Sequence, residues 1–415
     1  MEKYRLIGSL LLLLMTPSLL MASQDPVSRH NFKITRAEIS DDLTQQTIRQ
    51  TFQDETGLIW ILTQEGLHRF DGYELRSYQA SEGSAGSISH NNVRRMVQDT
   101  SGKLWIATTG GGLNYYDSGT RGFKALVSGG ETNYLLSNNI STLVSDEIGM
   151  LWLGYLDGRL SMFDPHTQDF VHRTLFNRMA SQHGSITAIA APNPLQLWIG
   201  TSKAGLLLYQ RHTGAISSRK GIAGTINDLI SSQITSLHIA PDQTLWIGTS
   251  ADGLFVVNME NGEIGNYRPS SSDDASILSN AVNTIYEDQE NRIWIGTDAG
   301  LSLYNAGGTF TNFSSKNSNL QEDFIMNILQ DQEGNFWIGT HYGLYAGFHS
   351  RFEIFNGNHG LESESITSFA ETAGNTLWVG TYDTLYYQNG GNSTFEEAED
   401  QFFAPEESTA RIMSL

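Results

Sequence analysis

The stretch Thr244-Leu-Trp-Ile-Gly-Thr-Ser-Ala-Asp-Gly-Leu254 decides how the chain is read, because variants of it recur along most of the 415 residues. Each of the eight tryptophans, Trp60, Trp105, Trp152, Trp198, Trp246, Trp294, Trp337 and Trp378, sits in one copy. Their spacing of about 41 to 48 residues is that of propeller blades. Within a copy an apolar residue precedes Trp, then come Ile, Leu or Val, usually Gly, usually Thr, a short polar turn and Gly-Leu. That order reads as a strand, a tight hairpin and a second strand.

Residue chemistry accounts for the unit. Asp252-Gly253, Asp157-Gly158 and Glu65-Gly66 supply the positive φ that a tight turn requires and glycine adopts without steric cost. The Gly two residues after Trp (Gly154, Gly200, Gly248, Gly296, Gly339, Gly380) leaves room for a close neighbour, expected to be the adjoining blade. Around Trp246 a whole blade is legible from alternation: strand A over 234–239, B over 244–249, C over 254–258 and D over 263–268. The A–B turn is elsewhere Asp-x-x-Gly, as at Asp54 to Gly57, Asp99 to Gly102, Asp146 to Gly149 and Asp331 to Gly334. This is turn chemistry, in which Asp bonds the backbone two residues on.

The longest polar loops connect strand D of one blade to strand A of the next. Since D–A and B–C connections emerge on one side, that face is where binding residues are expected. At the ends, Asn31-Phe-Lys-Ile-Thr35 reads as a lone outer strand able to close the last blade as a clasp. Arg351-Phe-Glu-Ile-Phe355 repeats that layout, and Ala410 to Leu415 reads as strand A of a further blade. The expectation is an all-β chain: a seven-bladed β-propeller of four-stranded antiparallel blades over 31–350, followed over 351–415 by the start of a second, truncated propeller.

Residues 1–23 have the plan of a secretory signal: Lys3 and Arg5, the apolar run Leu10 to Met15, a break at Pro17, then Ala22-Ser23. Export to the bacterial periplasm is expected, and no later stretch is apolar for long enough to span a membrane. The formal net charge of −20 argues against nucleic-acid or anionic-membrane surfaces, which require clustered Lys and Arg. Without cysteine, disulfides, thiolate catalysis and Cys-based metal sites are out of reach.

The pattern Asp-x-x-Gly-x-Leu/Ile-Trp-Ile-Gly-Thr-x-x-Gly-Leu, with Gly66-Leu-His-Arg-Phe-Asp-Gly-Tyr73 in the first blade, resembles the two-component regulator propeller repeat. The resemblance implies the periplasmic sensor region of hybrid histidine kinases and GGDEF diguanylate cyclases, where two seven-bladed propellers precede a Tyr-rich module, a membrane span and an output domain. Leu62 and Ala107 depart from the pattern at the Gly position, Tyr155 at the Thr position and Thr384 at the turn Gly.

No hydrolase, kinase or metalloprotease motif is present, and a sialidase-like site would need an arginine cluster where arginine is thinly spread. Nothing in the sequence assigns a catalytic residue, a cofactor or a metal. Ligand-binding candidates are B–C turn residues expected to converge on the ring axis: Lys203, Asp252, Asp298, His341 and Tyr342. A ring of carboxylates, a lysine and an aromatic suits a polar small molecule or oligosaccharide. The sequence thus reads as a non-enzymatic sensor region without its own output domain, its assembly as a homodimer left open; the alternative is a secreted propeller hydrolase or lyase with a funnel active site.

Overall fold

The computed structural model describes residues 32–349 except 85, 131–133, 174–183, 218–221, 223–224, 228–229 and 231, and, further on, 360–361, 365–372, 376–382, 384–389 and 394–398. The signal-type segment, Arg351 to Phe355 and the strand expected at 410–415 lie outside these residues. The chain divides into two compact units, residues 1–347 and 348–415.

The first unit is built from four-stranded sheets, each carrying its Trp on the second strand. Around Trp246 the strands are Ile234–Ile239, Thr244–Thr249, Leu254–Asn258 and Ile264–Tyr267, antiparallel and in sequence order. Among the described residues, the sheets of Trp60, Trp105, Trp152, Trp198 and Trp294 repeat this order. In the sheet of Trp337, the outer position beside Gly343–His349 is filled by Phe32–Arg36 from the other end of the chain.

Each sheet's innermost strand packs beside that of the next, and Ile325–Gln330 of the Trp337 sheet packs beside Gln50–Gln53 of the Trp60 sheet, so the set closes on itself. The Gly after Trp is where neighbours meet: a Cβ at Gly154 would lie 2.6 Å from Ile186 Cγ2, at Gly200 2.5 Å from Ile234 Cγ2, and at Gly339 2.7 Å from Ile48 Cγ2. Ile186 and Ile234 open the next sheet's inner strand, and Ile48 lies two residues before one. A ladder of hydrogen bonds runs alongside: Ser141 Oγ donates to Ile186 O at 2.6 Å, Thr187 Oγ1 to Ile234 O at 2.6 Å, Thr235 Oγ1 to Val282 O, and Asn283 Nδ2 to Ile325 O at 3.0 Å.

Trp60, Trp105, Trp152, Trp198, Trp246 and Trp294 are buried. Trp337 and Trp378 are only half-buried. The repeat's Asp does more than form a turn. Asp54, Asp99, Asp146, Asp288 and Asp331 each accept the indole N–H of their own Trp at 2.7–2.9 Å. The Thr after Gly ties down the B–C turn, as Thr249 Oγ1 does to Gly253 O at 2.7 Å. Tyr155 in that position reaches Ser161 Oγ instead, at 3.1 Å, and burial pushes its hydroxyl pKa up to about 12.

The second unit holds, among its described residues, one sheet of the same order: Ile366–Glu371, Thr376–Thr381, Leu385–Asn389 and Glu396–Glu397. Leu361, Val379, Tyr386 and Phe395 form its small core, while Phe369 is 76% exposed. No helix among the described residues is long and apolar enough to cross a membrane.

Candidate functional site: an arginine-lined channel mouth

The inner strands of the first unit surround an axial channel. Its middle, about 370 Å³, is lined by residues of all these strands, from Gln50, Thr51 and Phe52 round to Asn327, Ile328 and Leu329. Above it a mouth of about 340 Å³ shares Arg95, Thr187, Thr235, Asn283 and Met326 with the channel. Ser185, Gln233 and Phe324, each at the end of a D–A loop, also line the mouth, as does Leu156 of a B–C turn. The mouth therefore opens on the loop-rich face. The loops are anchored there by buried apolar residues, Ile88, Leu135, Ile226, Ile277 and Leu320.

Three cations stand at this mouth: Arg49, Arg94 and Arg95. None of them is in an ion pair among the described residues, and no acidic side chain lines the mouth. Arg49 Nε is buried without a hydrogen-bond partner. Arg94 Nε donates to Thr109 Oγ1 at 2.9 Å, and Arg95 Nη1 makes only long bonds, to Arg49 O at 3.4 Å and Arg94 O at 3.3 Å. Burial, and then the charges of Arg94 and Arg95, pull the Arg49 pKa down to about 10. Burial lowers Arg94, and burial followed by Arg94 lowers Arg95. The charged forms are held at a cost that an anion would offset.

The sequence pattern missed these arginines, since Arg49 and Arg94 stand 45 positions apart and belong to no motif. Superposing the repeats would have found them. Counted from the residue two after Trp, Arg49 and Arg94 occupy the inner-strand position that Ser141, Thr187, Thr235 and Asn283 fill elsewhere. Arginine is thinly spread along the sequence, but the packing of the Trp60 sheet beside the Trp105 sheet gathers three at one mouth.

The five expected rim residues lie on B–C turns, but none lines the mouth. The His341 ring centroid lies 5.7 Å from Phe324 of the mouth and 4.8 Å from Tyr342, which is 60% exposed. Asp252 is buried, accepting Ser232 N at 2.7 Å with Arg268 Nη2 at 3.6 Å, and so serves its turn. Lys203 and Asp298 are exposed on turns of two other sheets.

A larger groove of about 930 Å³ lies on the opposite, A–B side, between the sheets of Trp60 and Trp105. Lys124 pairs there with Asp117 at 2.7 Å, Lys103 Nζ sits 3.7 Å from the Tyr115 ring centroid, and Arg69 Nε is buried without a hydrogen-bond partner; unlike the mouth, this groove has the carboxylates Asp54, Glu55 and Asp117 in its lining. The mouth differs in holding three cations and no carboxylate in its lining.

Residues 87–110, 276–299 and 319–342 match the two component regulator propeller family. The chain carries two-component regulator propeller repeats. No curated protein matches it. Among solved structures, this regulator-propeller chain is similar to the extracellular domain of BT4673 from B. thetaiotaomicron, with 22% identity and a TM-score of 0.59, over 89% of this chain and 47% of that one. It thus spans about half the length of that neighbour. Virginiamycin B lyase from Staphylococcus aureus (11% identity, TM-score 0.57, 77% of this chain and 100% of that one) and the WD40 propeller domain of Doa1 (12%, 0.56, 77% and 98%) share the fold.

Proposed function

We propose that this regulator-propeller chain is the exported, periplasmic ligand-sensing region of a bacterial signal-transduction receptor, of two-component or cyclic-di-GMP type, and that it binds a polar small molecule or oligosaccharide at the channel mouth without transforming it. The preformed mouth carries this reading: Ser141, Ser185, Thr187, Gln233, Thr235 and Asn283 offer hydroxyl and amide groups around it, with Phe324 as a flat apolar wall. Such a lining suits a hydroxylated ligand that stacks and shares hydrogen bonds. The regulator repeats and the secretory plan of residues 1–23 support the cellular role.

The test is calorimetry of the mature chain against periplasmic oligosaccharides, peptides and small acids, run beside a turnover screen on the same compounds. Saturable binding without turnover is expected, weakened about tenfold by Phe324→Ala, the loss of one stacking contact. Replacing Tyr342 and Lys203 together tests the outer turns, and a loss of roughly ten- to hundredfold would extend the site to them. Saturable turnover of any of these compounds would replace the sensor by a hydrolase or lyase.

A further inference from the structure

The ligand-sensing reading leaves open what chemistry the mouth selects, and the inter-sheet ladder answers it. Where Ser141, Thr187, Thr235 and Asn283 each tie their strand to the next sheet, Arg49 and Arg94 make no such bond. Their strands are joined one residue further in, where the Gln50 amide donates to Met96 O at 3.2 Å and accepts Met96 N at 2.9 Å. The interface between the Trp60 and Trp105 sheets is therefore secured without the Arg49 guanidinium, and Arg94 turns instead to Thr109 of its own sheet. Two structural positions have been given over to cations, and Arg95 adds a third beside them.

Those cations are costly where they stand. They crowd a half-buried mouth with one another, Arg49 Nε lacks a partner, and no carboxylate approaches, although the chain carries 45 Asp and Glu against 25 Lys and Arg. Guanidinium groups left in this state match planar, multidentate anions better than neutral donors. Resting on the ligand-sensing reading, we propose that Arg49, Arg94 and Arg95 form an anion-binding subsite that selects a small hydroxylated ligand bearing a carboxylate, sulfate or phosphate group. The hydroxyl and amide groups across the mouth, from Ser141 to Asn283, hold the ligand body. A volume of about 340 Å³ is at the small end of ligand pockets, the size for one or two sugar rings.

The probes are D-galacturonate, galactose 6-sulfate, galactose 6-phosphate and neutral galactose, titrated calorimetrically into the mature chain at low and high salt. At least one charged sugar binds ten times or more tighter than galactose, and its affinity falls as salt rises. The three charged probes separate carboxylate, sulfate and phosphate as the source of the anion. Arg49→Thr with Arg94→Thr installs the residue found in the Trp198 and Trp246 sheets. It lowers charged-sugar affinity by at least tenfold while the free protein's thermal midpoint holds or rises. Arg94→Lys, which keeps charge but loses the planar fork, falls between. Galactose binding as tightly as its charged counterparts, unchanged binding in the double variant, or no charged sugar binding at 10 mM (roughly the weak limit of recognition) would each overturn the anion subsite. Binding of neutral oligosaccharides would survive all three results, so the sensor reading stands or falls separately. A double variant that unfolds at lower temperature than the parent would assign the arginines to scaffold and also overturn the proposal.

Discussion

In the sheet of Trp105 one carboxylate organises the turn and the core together. Asp99 accepts Ser101 N at 2.9 Å, Ser101 Oγ at 2.6 Å and Lys103 N at 3.1 Å, and its second oxygen takes Trp105 Nε1 at 2.7 Å. Burial pushes its pKa up, but the bonds from Ser101, Trp105 and Lys103 outweigh that and hold it below the usual value. Its contribution is present above the ordinary carboxylate pKa and is lost as pH falls through the lowered one. Ala240 stands in the corresponding place before Trp246, whose Nε1 is buried without a partner. Ala240→Asp should restore the bond and add about 1 kcal/mol, read as a higher denaturant midpoint; a lower midpoint would show that the turn beginning Ala240-Pro241 cannot accept the Asp geometry. His68 is the counterpart among bases. It is fully buried between Thr44 Oγ1 at 3.2 Å and Ser77 Oγ at 2.9 Å, and burial lowers its pKa to about 4. Because the unfolded chain binds this proton first, stability is complete above about pH 6.5 and declines towards pH 4, by about 3 kcal/mol for a shift of this size. Unfolding of His68→Gln measured across that window should show a shallower slope, and an unchanged slope would place the titration elsewhere.

At the scale of the strand pair, the repeated Gly sets how closely sheets approach. A Cβ at Gly296 would fall 2.6 Å from Thr284 Cγ2 and 2.7 Å from Ile325 Cγ2. Gly296→Ala should therefore cost about 1–3 kcal/mol through overpacking, and adding Thr284→Ser, which removes the Cγ2 methyl nearest the new Cβ, should recover part of it. Equal loss in the single and double variants would mean that the clash is relieved elsewhere. Trp246→Ala should cost about 3–5 kcal/mol by leaving a cavity, with equilibrium unfolding as the measure. The strand order, the hairpin glycines and the Trp position were all readable because each occurs many times, so a pattern could be counted. The carboxylate–indole bond was readable in principle from the constant spacing of Asp54 and Trp60, or Asp288 and Trp294, but turn chemistry already accounted for the Asp. The channel mouth was not legible. Arg49 and Arg94 break a polar position that Ser141, Thr187, Thr235 and Asn283 keep, and B–C turns were expected where inner strands in fact line the axis. A site made of exceptions becomes visible only when the repeats are laid over one another in space.

Across the whole chain, the first unit depends on joining its two ends. Phe32 packs against Trp294, Phe313 and Phe336 with ring centroids 4.9, 5.4 and 5.2 Å away, and Ile34 is buried beside them in the same core. Phe32→Ala should cost about 3–5 kcal/mol, again by equilibrium unfolding. Ending the chain at residue 350 should leave the thermal midpoint of the first unit nearly unchanged, because the compact units divide near that point; a large fall would assign Trp378 to the same body. Phe32–Arg36 also fixes the order of events during synthesis and folding. The first strand made must wait, unpaired, for Gly343–His349, the last strand of its sheet. Until then the nascent chain is an open arc with bare edges at both ends. Sealing it brings together ends on the order of 300 residues apart, which costs only about 5 kcal/mol of chain entropy but delays the rate-determining contact. Ring formation should therefore be the slow phase of refolding. A peptide spanning residues 32–36, supplied in excess, should compete for the waiting edge and trap the arc before it can seal.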